Sequence, residues 1–158
     1  MSSGWYESTN KGVSSSTALA RVTFELPVLC NITFTYINYA EATYDFGVFS
    51  KLDTALSTTP WTSTSSGGDT TTDAGLEERR LNTSSYNTSS QQTLTYSNVS
   101  AGEHFIDVKF SKDEATNSNN DSLRFKVEIT PLETIPTGYY YEYTLSNVQA
   151  DHTIVISV

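Results

Sequence analysis

Cys30, Ile32, Phe34 and Tyr36 alternate with Asn31, Thr33 and Thr35, and this two-residue hydrophobic period returns in nearly every apolar segment of the chain. Such a period puts apolar side chains on one face of an extended strand, whereas an amphipathic helix needs spacings of three and four. Ala18, Ala20, Val22, Phe24 and Leu26 form another series against Arg21, Thr23 and Glu25. Pro27 separates the two and breaks the ladder, and a sharp connection there predicts that they are antiparallel neighbours. Tyr44, Phe46 and Val48 give a third strand with a bulge or close approach at Gly47, and Leu94 with Tyr96 gives a fourth. His104, Ile106, Val108 and Phe110 oppose Phe105, Asp107 and Lys109 in a fifth. Leu123, Phe125, Val127 and Ile129 oppose Arg124, Lys126 and Glu128 in a sixth. Composition agrees, because 22 Ser, 24 Thr, 10 Tyr and 7 Phe among 158 residues suit pleated, half-buried surfaces better than helices.

Residues 57–73, STTPWTSTSSGGDTTTD, hold eleven Ser or Thr and no apolar period, so they read as a loop insertion. An isolated three-stranded sheet is marginal in water, which keeps the strands on both sides of the loop in one domain spanning residues 1–158. After Pro131 and Pro136, Tyr139, Tyr141, Tyr143 and Leu145 alternate with Tyr140, Glu142 and Thr144, then SNVQAD turns the chain and Ile154, Ile156 and Val158 follow. Residues 132–158 therefore read as a hairpin-like C-terminal tail, either the last strands of the same sandwich or the remnant of a second repeat. The expected class is all-β: an antiparallel β-sandwich, jelly-roll-like, with a long Ser/Thr-rich loop and a C-terminal β-hairpin tail.

Several functions are disfavoured at once. Nine Lys plus Arg against eighteen Asp plus Glu give a net charge of −9, and the cations are scattered, so no nucleic-acid partner is expected. No run approaches the roughly 20 apolar residues of a membrane helix, so no membrane insertion is expected. The start, Met-Ser-Ser-Gly, has neither a cationic nor an apolar leader region, so any export signal is expected to have been removed or to lie upstream. One cysteine supports no internal disulfide, and the phase of Cys30 makes it a small core residue.

The stretch AGEHFIDVKFSKDEATNSNNDSLRFKV, residues 101–127, resembles a hairpin of jelly-roll modules in bacterial extracellular proteins, with Gly102, His104, Lys112, Asp113 and Asp121 at the matching positions. The block ITFTYINYAEATYDFGVFSKLD, residues 32–53, resembles the partner element, through Glu41, Tyr44, Asp45 and Asp53. With the opening WYESTNKG, the chain resembles, over residues 5–130, the sugar-binding-module-type jelly rolls of gut bacterial surface proteins and of structural proteins of their phages. The tail YYYEYTLSNVQADHTIVISV is similar to the closing strands of Ig-like repeats. The resemblance implies a fold and a virion, extracellular or cell-surface setting, in which such modules serve as decoration, fibre or adhesion domains. An acidic exterior suits that setting, since net charge keeps a displayed module soluble.

Chemistry-bearing residues are few. A nucleophilic triad would need a histidine, and only His104 and His152 are available, the first in phase with packed residues and the second at a turn. Glu41, Asp45, Asp53, Asp107 and Glu114 supply carboxylates, but one sequence pairs none of them across a cleft, and no enzymatic activity is expected. Asp113, Glu114, Asn117, Asn119 and Asp121 crowd into nine positions. Two readings stay open: a calcium site with Asp113, Asn117, Asn119 and Asp121 as oxygen ligands, or a turn that stabilises itself through Asx hydrogen bonds. Trp61, Trp5, Tyr6 and Tyr86 are the candidate glycan-contacting aromatics, Trp61 serving either as a ligand platform or as a lid over the sandwich. The tyrosine run from Tyr139 to Tyr141 reads as a further aromatic platform, an edge strand or a subunit interface. Asn-x-Ser/Thr triplets begin at Asn31, Asn82, Asn87, Asn98 and Asn120, as many as a Ser/Thr-rich chain yields by chance.

The expected function is a non-catalytic structural or adhesion module on a phage particle or bacterial surface. Its partners would be other virion or cell-surface subunits, copies of itself and cell-surface glycans. The alternative is a carbohydrate-binding module of a secreted multidomain enzyme.

Overall fold

The computed structural model describes residues 4–40, 44–58, 73, 75–81, 91–113, 121–135, 137–138, 141–146 and 152–156. Among them are ten strands: β1 Tyr6–Glu7, β2 Thr17–Leu26, β3 Cys30–Tyr39, β4 Phe46–Ser50, β5 Glu77–Leu81, β6 Gln92–Val99, β7 Gly102–Ser111, β8 Ser122–Pro131, β9 Tyr141–Ser146 and β10 His152–Ile156. All strand pairs are antiparallel. One sheet runs β1-β8-β3-β6 and the other β10-β9-β2-β7-β4-β5. The two stack face to face as a β-sandwich, the class that the alternation predicts.

The core lies between the sheets. Val22, Phe24 and Leu26 of β2 and Ile106, Val108 and Phe110 of β7 meet Cys30, Ile32, Phe34 and Tyr36 of β3, Leu94 and Tyr96 of β6, and Leu123 and Phe125 of β8. Phe34 is the hub, with its ring centroid 6.4 Å from Phe24, 5.0 Å from Phe49, 6.0 Å from Tyr96 and 5.8 Å from Phe125, mostly in tilted or edge-on geometry. Hydrogen bonds also cross the sandwich: Tyr96 donates its hydroxyl to the Ser50 carbonyl at 2.6 Å, and Asn38 Nδ2 donates to the Leu81 carbonyl at 3.1 Å.

One expectation is corrected here. β2 and β3 are not neighbours, because the short connection at Pro27 carries the chain from one sheet to the other. Crossing over turns the apolar faces of the two strands toward each other, while the distant β7 and β8 supply their ladders over ten register pairs each. Every residue of β4 is buried, and a Cβ on Gly47 would lie 2.8 Å from Leu81 Cδ1, the close approach expected at that position. Gly47 and Phe49 face the main core, whereas Phe46 and Val48 form a second apolar cluster with Leu56, flanked by Leu19 and Leu76. Residues just before and just after the long loop thus cover the outer face of the six-stranded sheet.

That cover is fastened by buried charge. Arg21 Nε and Nη2 donate to the two oxygens of Asp107 at 2.8 and 3.0 Å, and the Leu56 amide donates to Asp107 Oδ2 at 2.9 Å. Lys109 Nζ pairs with Asp73 Oδ2 at 2.6 Å, both side chains fully buried, and the Ser57 amide donates to Asp73 Oδ1 at 2.9 Å. These bonds satisfy polar groups that burial would otherwise penalise by several kcal/mol each.

Candidate functional site

Three polar constellations stand out once the strands are in place. The first joins the turn after β4 to the start of β7. Asp53 holds a left-handed backbone at φ 56°, its amide donates to the Phe105 carbonyl at 2.9 Å, and its Oδ1 accepts the Phe105 amide at 2.8 Å. His104 Nδ1 lies 2.8 Å from Asp53 Oδ2, and His104 Nε2 lies 3.4 Å from Ser100 Oγ, the order of a nucleophilic triad. However, Nε2 is closer to the Ser100 carbonyl, at 3.0 Å, and a carbonyl only accepts. Nε2 is thus set against an acceptor that competes with the hydroxyl for it. This arrangement clasps a turn.

The second constellation occupies the opposite end of β4 and β7. Asp45 precedes β4, Lys112 and Asp113 follow β7, and Asp121 precedes β8, all four buried. Asp45 Oδ1 accepts the Asp113 amide at 3.0 Å, and Lys112 Nζ lies 3.8 Å from Asp121 Oδ2, outside hydrogen-bond distance. Burial, then contact with the Asp121 carboxyl, pushes the Asp45 carboxyl up to about 8 despite the Asp113 amide and the Lys112 charge. Two of the proposed metal ligands, Asp113 and Asp121, thus come to one corner, joined by an acid that the metal assignment lacked. Asn117 and Asn119 lie outside the described residues. Asp45 was recoverable from sequence, because it shares the inward phase of Gly47 and Phe49 and stands in the block that carries the resemblance.

The third lies on the outer face of the four-stranded sheet. Tyr6 pairs with Phe125 and turns its ring inward, 5.5 Å from the Phe125 ring, where it lines a cleft of about 30 Å³ with Ala18, Ala20, Leu123 and Phe125. Continuing that register by one residue sets Trp5 beside Lys126, whose Nζ lies 5.6 Å from the Trp5 ring centroid. Lys126 is opposite Thr35, and Thr35 is opposite Thr93. One row across the sheet therefore reads Trp5, Lys126, Thr35, Thr93. Next to it Glu128, Thr33 and Thr95 form a second row, with the two threonine hydroxyls 3.0 Å apart. Of the candidate aromatics among the described residues, Trp5 is brought to this outer face and Tyr6 is turned to the cleft; Trp61 and Tyr86 lie outside the described residues.

Compared with known proteins, the chain matches no family model, no curated protein and no solved structure.

Proposed function

We propose that this chain is a non-catalytic adhesion or structural module displayed on a phage particle or bacterial surface, and that it touches cell-surface glycans through the outer face of its four-stranded sheet. The observation that carries this reading is the row Trp5, Lys126, Thr35, Thr93. An indole beside an amine and ordered hydroxyls combines an apolar platform for a sugar ring with donors and acceptors for its hydroxyls. Strand order adds support: the first eight strands run 1-8-3-6 against 2-7-4-5, the wrapping of a jelly roll. The assembly role rests on β10, which ends the six-stranded sheet and offers a backbone edge to a neighbouring subunit.

A glycan array probed with the wild type and Trp5→Ala, together with light scattering across a concentration series, tests the proposal. Binding that Trp5→Ala abolishes without lowering the melting temperature is the expected result. A chain that binds no glycan and stays monomeric at every concentration overturns it. A monomer that does bind glycan favours the carbohydrate-binding module of a secreted enzyme.

A further inference from the structure

An open sheet has two edges, and an edge left bare is a template for pairing with another chain. Among the described residues, β1 and β6 end one sheet, and β10 and β5 end the other. Three of these four edges carry features that discourage a further strand. β1 is only two residues long. β5, EERRL, holds four charged residues in five. β6 shifts its register against β3 between Cys30 and Ile32, turns left-handed at Asn98 with φ 55°, and has its Thr93 carbonyl taken by Arg79 Nη1 at 3.0 Å. β10 has none of these features. Its five residues, HTIVI, pair with β9 in unbroken register, and residues 152–158, HTIVISV, contain no Asp, Glu, Lys, Arg, Pro or Gly. Thr153, Ile154, Val155 and Ile156 are all β-branched, the side chains that suit a strand best.

We infer that β10 pairs with β10 of a second copy of this chain, antiparallel about a two-fold axis at Ile154, and so joins two six-stranded sheets into one. This rests on the assembly part of the proposed function and names the neighbour. Every ladder of the fold is antiparallel, and a strand turned by a two-fold axis onto itself is antiparallel too, so one surface serves both partners. Charge selects the same register. Each copy carries −9, so two copies meet where their acids stay apart. Centring on Ile154, the middle residue, pairs the whole strand, whereas centring on Thr153 pairs only His152 to Ile154 and centring on Val155 only Ile154 to Ile156. Glu142 of β9 is in register with Val155, so the Val155 axis would also put both copies' Glu142 in one row. With the axis at Ile154, that row runs Glu142, Val155, then Thr153 and Thr144 of the second copy, and no acid meets an acid. The next row runs Tyr143, Ile154, then Ile154 and Tyr143 of the second copy. Tyr143 is in register with Phe24, which places this apolar row on the core side of the sheet. An edge of five residues is a small contact, so the dimer dissociates on dilution.

Sedimentation of the full chain from about 1 µM to about 1 mM tests this, and the mass should rise from one copy to two and stop there. Ile154→Lys sets two like charges face to face and should stay monomeric, as should Ile154→Asp, while an equal mixture of the two variants should dimerise again. Ile154→Cys should form a disulfide-linked dimer on oxidation, because directly opposed strand residues lie within bridging distance, whereas Thr144→Cys on β9 should not. Cys30 is buried and does not compete. The disulfide decides the matter if the charged variants do not fold. A chain that is monomeric at every concentration overturns the inference, and glycan binding by that monomer would leave the other half of the proposed function standing. A mass that grows past two copies overturns the closed two-fold pairing. A dimer that Ile154→Lys leaves intact, or that Ile154→Cys does not cross-link, retains assembly but removes β10 as its seam.

Discussion

Lys109→Met tests whether the long loop is held by charge buried under it. Lys109 and Asp73 are fully buried, 2.6 Å apart, and Asp73 keeps a second bond, from the Ser57 amide at 2.9 Å. Methionine fills most of the lysine's volume, so the packing loss is small and the main effect is an uncompensated carboxylate. Breaking a buried pair in this way costs about 3–5 kcal/mol. For a chain of this length each kcal/mol lowers Tm by about 2–4 °C, so Lys109→Met should melt roughly 6–20 °C below wild type. Asp73→Asn should lose a comparable amount, because Lys109 loses this carboxylate while an amide oxygen can still accept from Ser57. The double variant removes both charges and should return to within about 1 kcal/mol of wild type, so the coupling energy, the two single costs less that of the double, is about 5–9 kcal/mol. Urea denaturation of all four proteins measures this, and 1 M salt should change little because the pair is shielded from solvent. Single variants that each cost under about 1 kcal/mol, or a double variant that costs the sum of the two, would refute the reasoning.

Phe34→Ala removes the ring that touches Phe24, Phe49, Tyr96 and Phe125 and should cost about 3–5 kcal/mol by denaturant titration. Gly47→Ala would place a methyl carbon 2.8 Å from Leu81 Cδ1 and 3.3 Å from Leu123 Cδ2, so overpacking should cost about 1–3 kcal/mol. Glu7 ties β1 to β8: partial burial pushes its carboxyl up, but hydrogen bonds from Ser122, Arg124 and Lys11 outweigh that and hold it below the usual range. Because its folded pKa is depressed, its contribution is present above the unfolded value and is lost as pH falls through the folded one. Glu7→Gln should flatten that acid limb of a Tm-against-pH curve, and an unchanged limb would remove Glu7 as its cause.

Strands with a long one-sided alternation were legible in the sequence, and those whose environment is set by distant chain were not. β3 and β8 show their apolar period because one face meets the core and the other is solvated along most of their length. β1 is two residues long, too short to show any period. β5, EERRL, carries four charged residues and buries only Leu81, so its pairing with β4 defines it as a strand, not its pattern. The polar face of β7 looks solvent-bound in sequence, yet Asp107 and Lys109 are buried because residues on either side of the long loop return over them. Nothing local to β7 reports that return.

The two resemblance blocks acquire a physical meaning from the register of β4 against β7. Phe46 faces Ser111, Gly47 faces Phe110, Val48 faces Lys109 and Phe49 faces Val108. Each pair sums to the same number, and extending the rule outward by one residue at one end and four at the other matches Asp45 with Lys112 and Asp53 with His104. These are the positions where the structure sets a carboxylate near a basic side chain: Lys112 contributes charge to the Asp45 corner, and His104 lies 2.8 Å from Asp53. Asp45 and Asp53 are eight residues apart, as are His104 and Lys112. The ladder itself spans Phe46 to Phe49, and Asp53 is reached across the turn that follows β4. One strand pair is therefore fastened at both ends by an acid from one block and a base from the other. At the Asp53 end the Phe105 amide donates to Oδ1 and the His104 ring lies against Oδ2. At the Asp45 end a second acid, Asp121, joins, and its contact together with burial raises the Asp45 carboxyl, so this end is closed by a carboxyl–carboxyl contact where the other is closed by an imidazole.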